Sequence, residues 1–96
     1  MNVNILPTAS VAFTSNRLAL HGAGLNVEVT RRRVKGGIRV RITATRLNYQ
    51  AGHTTQSDFI DFASEEEAAR VFDAQCIRWH NYTQAWAIER GYTLAA

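Results

Sequence analysis

Few residues of this 96-residue chain have the type and spacing to do covalent chemistry. Cys76 and His80 stand four apart, which on a helix puts both side chains on one face, where they could share a metal ion. A full ligand set would need a second pair. His21 and His53 stand alone, with no CxxC or HExxH around them. As a nucleophile Cys76 would need an exposed thiol of lowered pKa, yet it falls on an apolar helical stripe, where thiols are buried and inert. Asp58 and Asp61 could form an acid/base pair, but within a strand an i, i+3 pair points to opposite faces. "HGAG" (21–24) holds a Gly-x-Gly without the third glycine and the helix that a dinucleotide fingerprint requires, and a tight turn accounts for it. These residues predict no enzyme, no metal and no cofactor.

What remains is ionic recognition. "TRRRVKGGIRVRIT" (30–43) places six cations in fourteen positions, five of them arginines, the side chain suited to bidentate contacts with phosphate or carboxylate. Eight bases and one acid lie between Arg17 and Arg46, whereas three bases and seven acids follow from Leu47 onward, within a net charge of only +3. Charge asymmetry of this kind hints at a nucleic-acid or acidic partner. It is equally what a domain shows when its sheet and helix complement each other internally.

The elements that must position these charges follow from periodicity. In 25–30 Leu25, Val27 and Val29 alternate with Asn26, Glu28 and Thr30. In 38–45 Ile38, Val40, Ile42 and Ala44 alternate with Arg39, Arg41, Thr43 and Thr45. Alternation predicts two strands with one buried face each, and Gly36-Gly37 marks the reversal, with Lys35-Gly36 or Gly36-Gly37 as its central pair. The 25–46 segment is therefore a basic β-hairpin. Upstream, 11–20 predicts two short strands about a Ser15-Asn16 turn. Downstream, Leu47 and Tyr49 break parity, which predicts a bulge or a second-face contact. Residues 50–57 read as a loop and 58–62 as a further strand.

Ser64 and Glu67 have capping-box spacing, which predicts a helix over 64–90 with Glu65, Glu66 and Glu67 at its positive end. Its stripe is Ala68, Val71, Phe72, Cys76, Trp79, Tyr82 and Trp86, and Asn81 offers a second N-cap where the helix is expected to kink or break. Trp79, Tyr82 and Trp86 could stack bases, but their helical spacing predicts core. Strands first and a helix last predict an α+β domain, a small antiparallel sheet of three to five strands with the long C-terminal helix on one face.

Apolar content of 46% with 20% charged residues fits one globular domain spanning 1–96. The single cysteine excludes an intrachain disulfide and suits a reducing compartment. The opening "MNVNILPTAS" lacks the apolar core of a signal peptide, and no run of about 18 apolar residues could span a bilayer. The expectation is a cytoplasmic protein with no membrane contact.

On the sheet face turned away from the core, Arg32, Arg39 and Arg41 should lie side by side among Thr30, Thr43 and Thr45. Arg31 and Arg33 share the parity of Val27 and Val29, so charge on both faces predicts a hairpin tip projecting past the core as a basic ribbon. With Lys35 at the turn and Arg46 at the base, seven residues form the expected binding set: Arg31, Arg32, Arg33, Lys35, Arg39, Arg41 and Arg46. Phosphate contacts need only positioned positive charge, so the first partner expected is nucleic acid or a nucleoprotein complex. No aromatics of the RNA-recognition-motif type are evident on the strands, and no helix-turn-helix pattern appears. The alternative partner is an acidic protein surface on a larger complex. Small motif-free accessory proteins of phages and mobile elements, anti-CRISPR-type inhibitors included, dock in this way, a comparison that rests on size and lack of motifs. A second alternative is a structural subunit that assembles through an unpaired sheet edge.

Overall fold

The computed structural model describes residues 5–6, 10–47, 52–91 and 93–94, with side chains for 14–47 and 52–91. The alternating segments form the two longest strands, β4 (Leu25–Val34) and β5 (Gly37–Arg46). They belong to a five-stranded antiparallel meander in the order β2 (Ser10–Thr14), β3 (Arg17–Gly22), β4, β5 and β6 (Thr54–Phe62). One helix, α1 (Glu65–Glu89), follows and packs on one face, giving the expected α+β fold. A separate parallel pair joins β1 (Ile5–Leu6) to β7 (Thr93–Leu94).

The β4–β5 register runs unbroken from Leu25 opposite Arg46 to Val34 opposite Gly37. Lys35-Gly36 is thus the central pair of the turn. Its two glycines answer two different demands. Gly36 sits at φ +85, a conformation that other residues adopt only with strain. Gly37 has an ordinary φ, but a Cβ there would run into the backbone carbonyl of Phe62 on β6.

The apolar sets meet on one face as register rules demand. Leu18 and Leu20 of β3, Leu25, Val27 and Val29 of β4, and Ile38 and Val40 of β5 are buried together against Ala68, Phe72 and Cys76 of α1. Burying a side chain the size of Phe72 contributes roughly 1.5–3 kcal/mol. The helix begins as its sequence implies, with Ser64 Oγ accepting from the Glu67 N–H at 3.3 Å. It ends where the Arg90 and Gly91 N–H groups donate to the carbonyls of Ala87 and Ile88.

Several expectations are corrected. The helix is continuous through His80 and Asn81, because that segment contains neither proline nor glycine and Asn81 simply faces solvent. The buried stripe passes through Thr83 and Ala87, leaving Tyr82 42% exposed. No bulge interrupts β5. The strand ends at Arg46, and the Leu47 N–H turns to the Gly24 carbonyl at 2.8 Å, while Tyr49 lies outside the described residues. Residues 54–57 are strand, not loop. They pair with Thr43 to Arg46, and their hydroxyls bridge the strands, Thr43 to Ser57 at 3.2 Å and Thr45 to Thr55 at 3.1 Å. Helix α1 covers β6 only at its end, where Phe62 packs against the core, and Ile60 on the helix side of that strand stays 59% exposed. Among the described residues no helix is long and apolar enough to cross a membrane.

Candidate functional site

The sheet has a covered face and an open one, as an antiparallel sheet with helices on a single side must. On the open face the cross-strand pairs are Arg17 with Thr30, Thr30 with Arg41, Arg32 with Arg39, Arg41 with Phe59, and Arg39 with Asp61. Directly opposed side chains on adjacent strands have Cβ atoms about 5 Å apart, so these residues form one contiguous patch.

The patch is organised around Phe59. The Arg39 guanidinium carbon lies 4.0 Å from the ring centroid and that of Arg41 lies 5.2 Å away. Asp61 fixes the Arg39 plane by accepting from Nε at 2.8 Å and from Nη2 at 3.0 Å. That fork uses two of the five guanidinium N–H groups and leaves three for another anion. The hydrogen bond from Arg39 holds the Asp61 carboxyl below its ordinary pKa, and the pair in turn raises that of Arg39. Phe59 itself remains 47% exposed. Arg17 is held by Glu28, which accepts from its Nη2 at 2.7 Å. Arg32 and Arg41 have no carboxylate partner among the described residues.

The seven residues expected from sequence therefore separate. Arg32, Arg39 and Arg41 share the open face, and Lys35 lies exposed at the turn beyond them. Arg31 and Arg33 point to the helix side, as their parity requires, but they form no projecting tip. The Arg31 guanidinium lies over the Phe72 ring at 5.1 Å and donates to the Ser15 carbonyl at 2.8 Å, while its backbone N–H donates to the Asn16 carbonyl. Arg33 pairs with Glu65 at the start of α1. The physical reason is reach: long arginine stems extend the apolar cover of the core edge and carry their charge to the nearest acceptors. On the other flank β6 accompanies β5 to Phe62, opposite Ile38, so the hairpin end is braced rather than free. Arg46 lies at the opposite end of the sheet on the helix side, 5.0 Å from the Trp86 ring.

Sequence reasoning missed Phe59, Asp61 and Arg17 as members of the patch. Arg17 could be placed only once β3 was registered on β4. Phe59 and Asp61 needed the β5–β6 register, which a strand exposed on both sides does not announce. The structure thus puts Phe59 of the expected 58–62 strand on the open face, opposite Arg41.

The other candidate chemistry falls elsewhere. Asp58 lies opposite Ile42 on the helix side and Asp61 on the open side, so they do not converge. Cys76 is buried, and desolvation pushes its thiol up to about 11. Trp79 and Trp86 pack against the core, and the Trp86 indole N–H donates to the Ala23 carbonyl at 3.0 Å. Comparison with protein-family models, with curated proteins and with solved structures gave no significant match, so the site stands on its own geometry.

Proposed function

We propose that this protein is a non-enzymatic binding module that engages nucleic acid, alone or within a nucleoprotein complex, through the open face of its sheet. The observation that carries this reading is the grouping of Arg32, Arg39 and Arg41 on one uncovered face, two of them without a carboxylate partner among the described residues. Like charges directly opposed across strands, as Arg32 and Arg39 are, destabilise a sheet unless solvent or an anion relieves them. Asp61 relieves Arg39 only in part, and a phosphate would complete the neutralisation. The surrounding Thr30, Thr43 and Thr45 hydroxyls offer neutral contacts to the same backbone.

The test is binding of labelled DNA and RNA across a salt series, for the native protein and for Arg32→Ala/Arg41→Ala. Real phosphate contacts give a log–log salt slope that becomes shallower by about 1 for each contact removed. Absence of binding to every nucleic acid at low salt would refute the reading and direct the search to an acidic protein surface.

A further inference from the structure

We infer that the ligand of the open face is single-stranded nucleic acid, with a base stacked on Phe59 between phosphates held by Arg39 and Arg41. The inference rests on the nucleic-acid reading above and adds to it the strandedness of the ligand and the residue that senses it.

Three features of the face lead there. The first is shape. A basic ribbon that enters a duplex groove must stand clear of its own domain, and the β4–β5 turn does not, because β6 flanks it to Phe62 and α1 begins beneath Arg33. What is offered is a broad five-stranded surface, which suits an extended strand lying across it better than a double helix. The second is the ring. Phe59 is nearly half exposed beside the edge of the sheet, on the face that no helix covers. An aromatic ring presented on a basic surface is the element on which successive bases stack, and such stacking tolerates any sequence because every base has a π-face.

The third is the setting of that ring. Two guanidiniums lie over Phe59, Arg39 at 4.0 Å and Arg41 at 5.2 Å, and Asp61 orients the first, so the base takes the part of the ring that they leave exposed. The spacing has chemical sense, because a nucleotide presents a flat base next to a phosphate and the patch presents a ring next to free guanidinium N–H groups. Phe59 also breaks the hydroxyl pattern of this face. At the same strand position a threonine would fit the Thr43–Ser57 and Thr45–Thr55 pattern of the neighbouring rungs.

The experiment compares 15-nucleotide oligothymidylate, oligouridylate and a 15-base-pair DNA duplex, read by fluorescence anisotropy over a salt series. It uses the native protein with Phe59→Leu, Phe59→Trp and Arg41→Ala, each checked for native circular dichroism. Both single strands are expected to bind more tightly than the duplex. Phe59→Leu should weaken single-strand binding about tenfold with an unchanged salt slope, because it removes a stack and no charge. Phe59→Trp should retain affinity, and Arg41→Ala should make the slope shallower by about 1. Duplex binding as tight as that of the single strands, or a Phe59→Leu variant of native affinity, would overturn the stacking inference while leaving the phosphate contacts standing. No binding by any probe at low salt would sink the functional reading as well.

Discussion

The two faces of one sheet are built from the same strands, yet they obey opposite rules. On the covered face β3, β4 and β5 contribute only aliphatic side chains to the interior, and the nearby charges, Arg31 and Arg33, are drawn to its margin and satisfied there. On the open face most positions are polar, two arginines face each other directly, and an aromatic ring is nearly half exposed beneath guanidiniums. The first arrangement is what folding selects. The second contributes little to folding, which makes it the place to look for function. Substitutions on the covered face should therefore cost stability, and those on the open face should leave it nearly unchanged.

The largest effect is expected at the centre of the covered face. Phe72→Ala should destabilise the fold by about 3–5 kcal/mol, read as a lower urea midpoint at unchanged slope. A loss under about 1 kcal/mol would mean that α1 is not the element that seals the sheet. Next comes the joint between the faces. Gly37→Ala should cost about 1–3 kcal/mol, because the new methyl group meets the Phe62 carbonyl and β6 must move away from β5. Amide exchange in 54–62 would report that movement directly, and unaltered protection there would contradict the close approach.

The helix that seals that face brings polar atoms into the interior without a partner, Gln75 Oε1, Trp79 Nε1 and Thr83 Oγ1 among the described residues. Thr83 is fully buried and its hydroxyl has no hydrogen-bond partner. Thr83→Val keeps the shape and removes the orphaned group, so the melting temperature should rise, with a gain of about 1 kcal/mol. A loss of stability would show that the hydroxyl is satisfied in solution.

The smallest effect on stability belongs to the open face and appears only in acid. The Asp61 carboxyl is lowered by its fork with Arg39, so the folded state holds its proton more weakly than the unfolded chain. The stabilisation is present above the ordinary carboxylate pKa of about 4 and is lost as pH falls through the lowered folded value. Asp61→Asn should flatten that part of the acid limb, and its midpoint at neutral pH should move only slightly, as exposed ion pairs contribute little. An acid limb identical to that of the native chain would remove the fork from the account.

The difference between the faces also explains what could be read in advance. The 25–46 hairpin was legible because one of its faces is buried, and burial imposes alternation. The open-face row Arg32, Arg39 and Arg41 followed from the same parity. Strand β6 was only half legible: it is an edge strand exposed on both sides, so Thr54–Ser57 carries no apolar rhythm and looks like loop. Phe59 was hidden for the same reason, since its face is fixed by the partner strand and not by its neighbours in sequence. Arg31 and Arg33 show the converse. Their parity was right, but parity says nothing of what a long side chain reaches, and here it reaches Phe72, Ser15 and Glu65. Asn81 resembled a cap by residue type alone, although no proline or glycine stands before it to stop the helix.

On the proposed function, the open face and not the helix meets the partner. The most direct test is a two-dimensional amide NMR titration with 15-nucleotide oligothymidylate at low salt. The expected result is shifts concentrated at Thr30, Arg32, Arg41, Thr43 and Phe59, with the exposed Ile77 and Ile88 of α1 unmoved. Shifts centred on α1, or none at all, would contradict it.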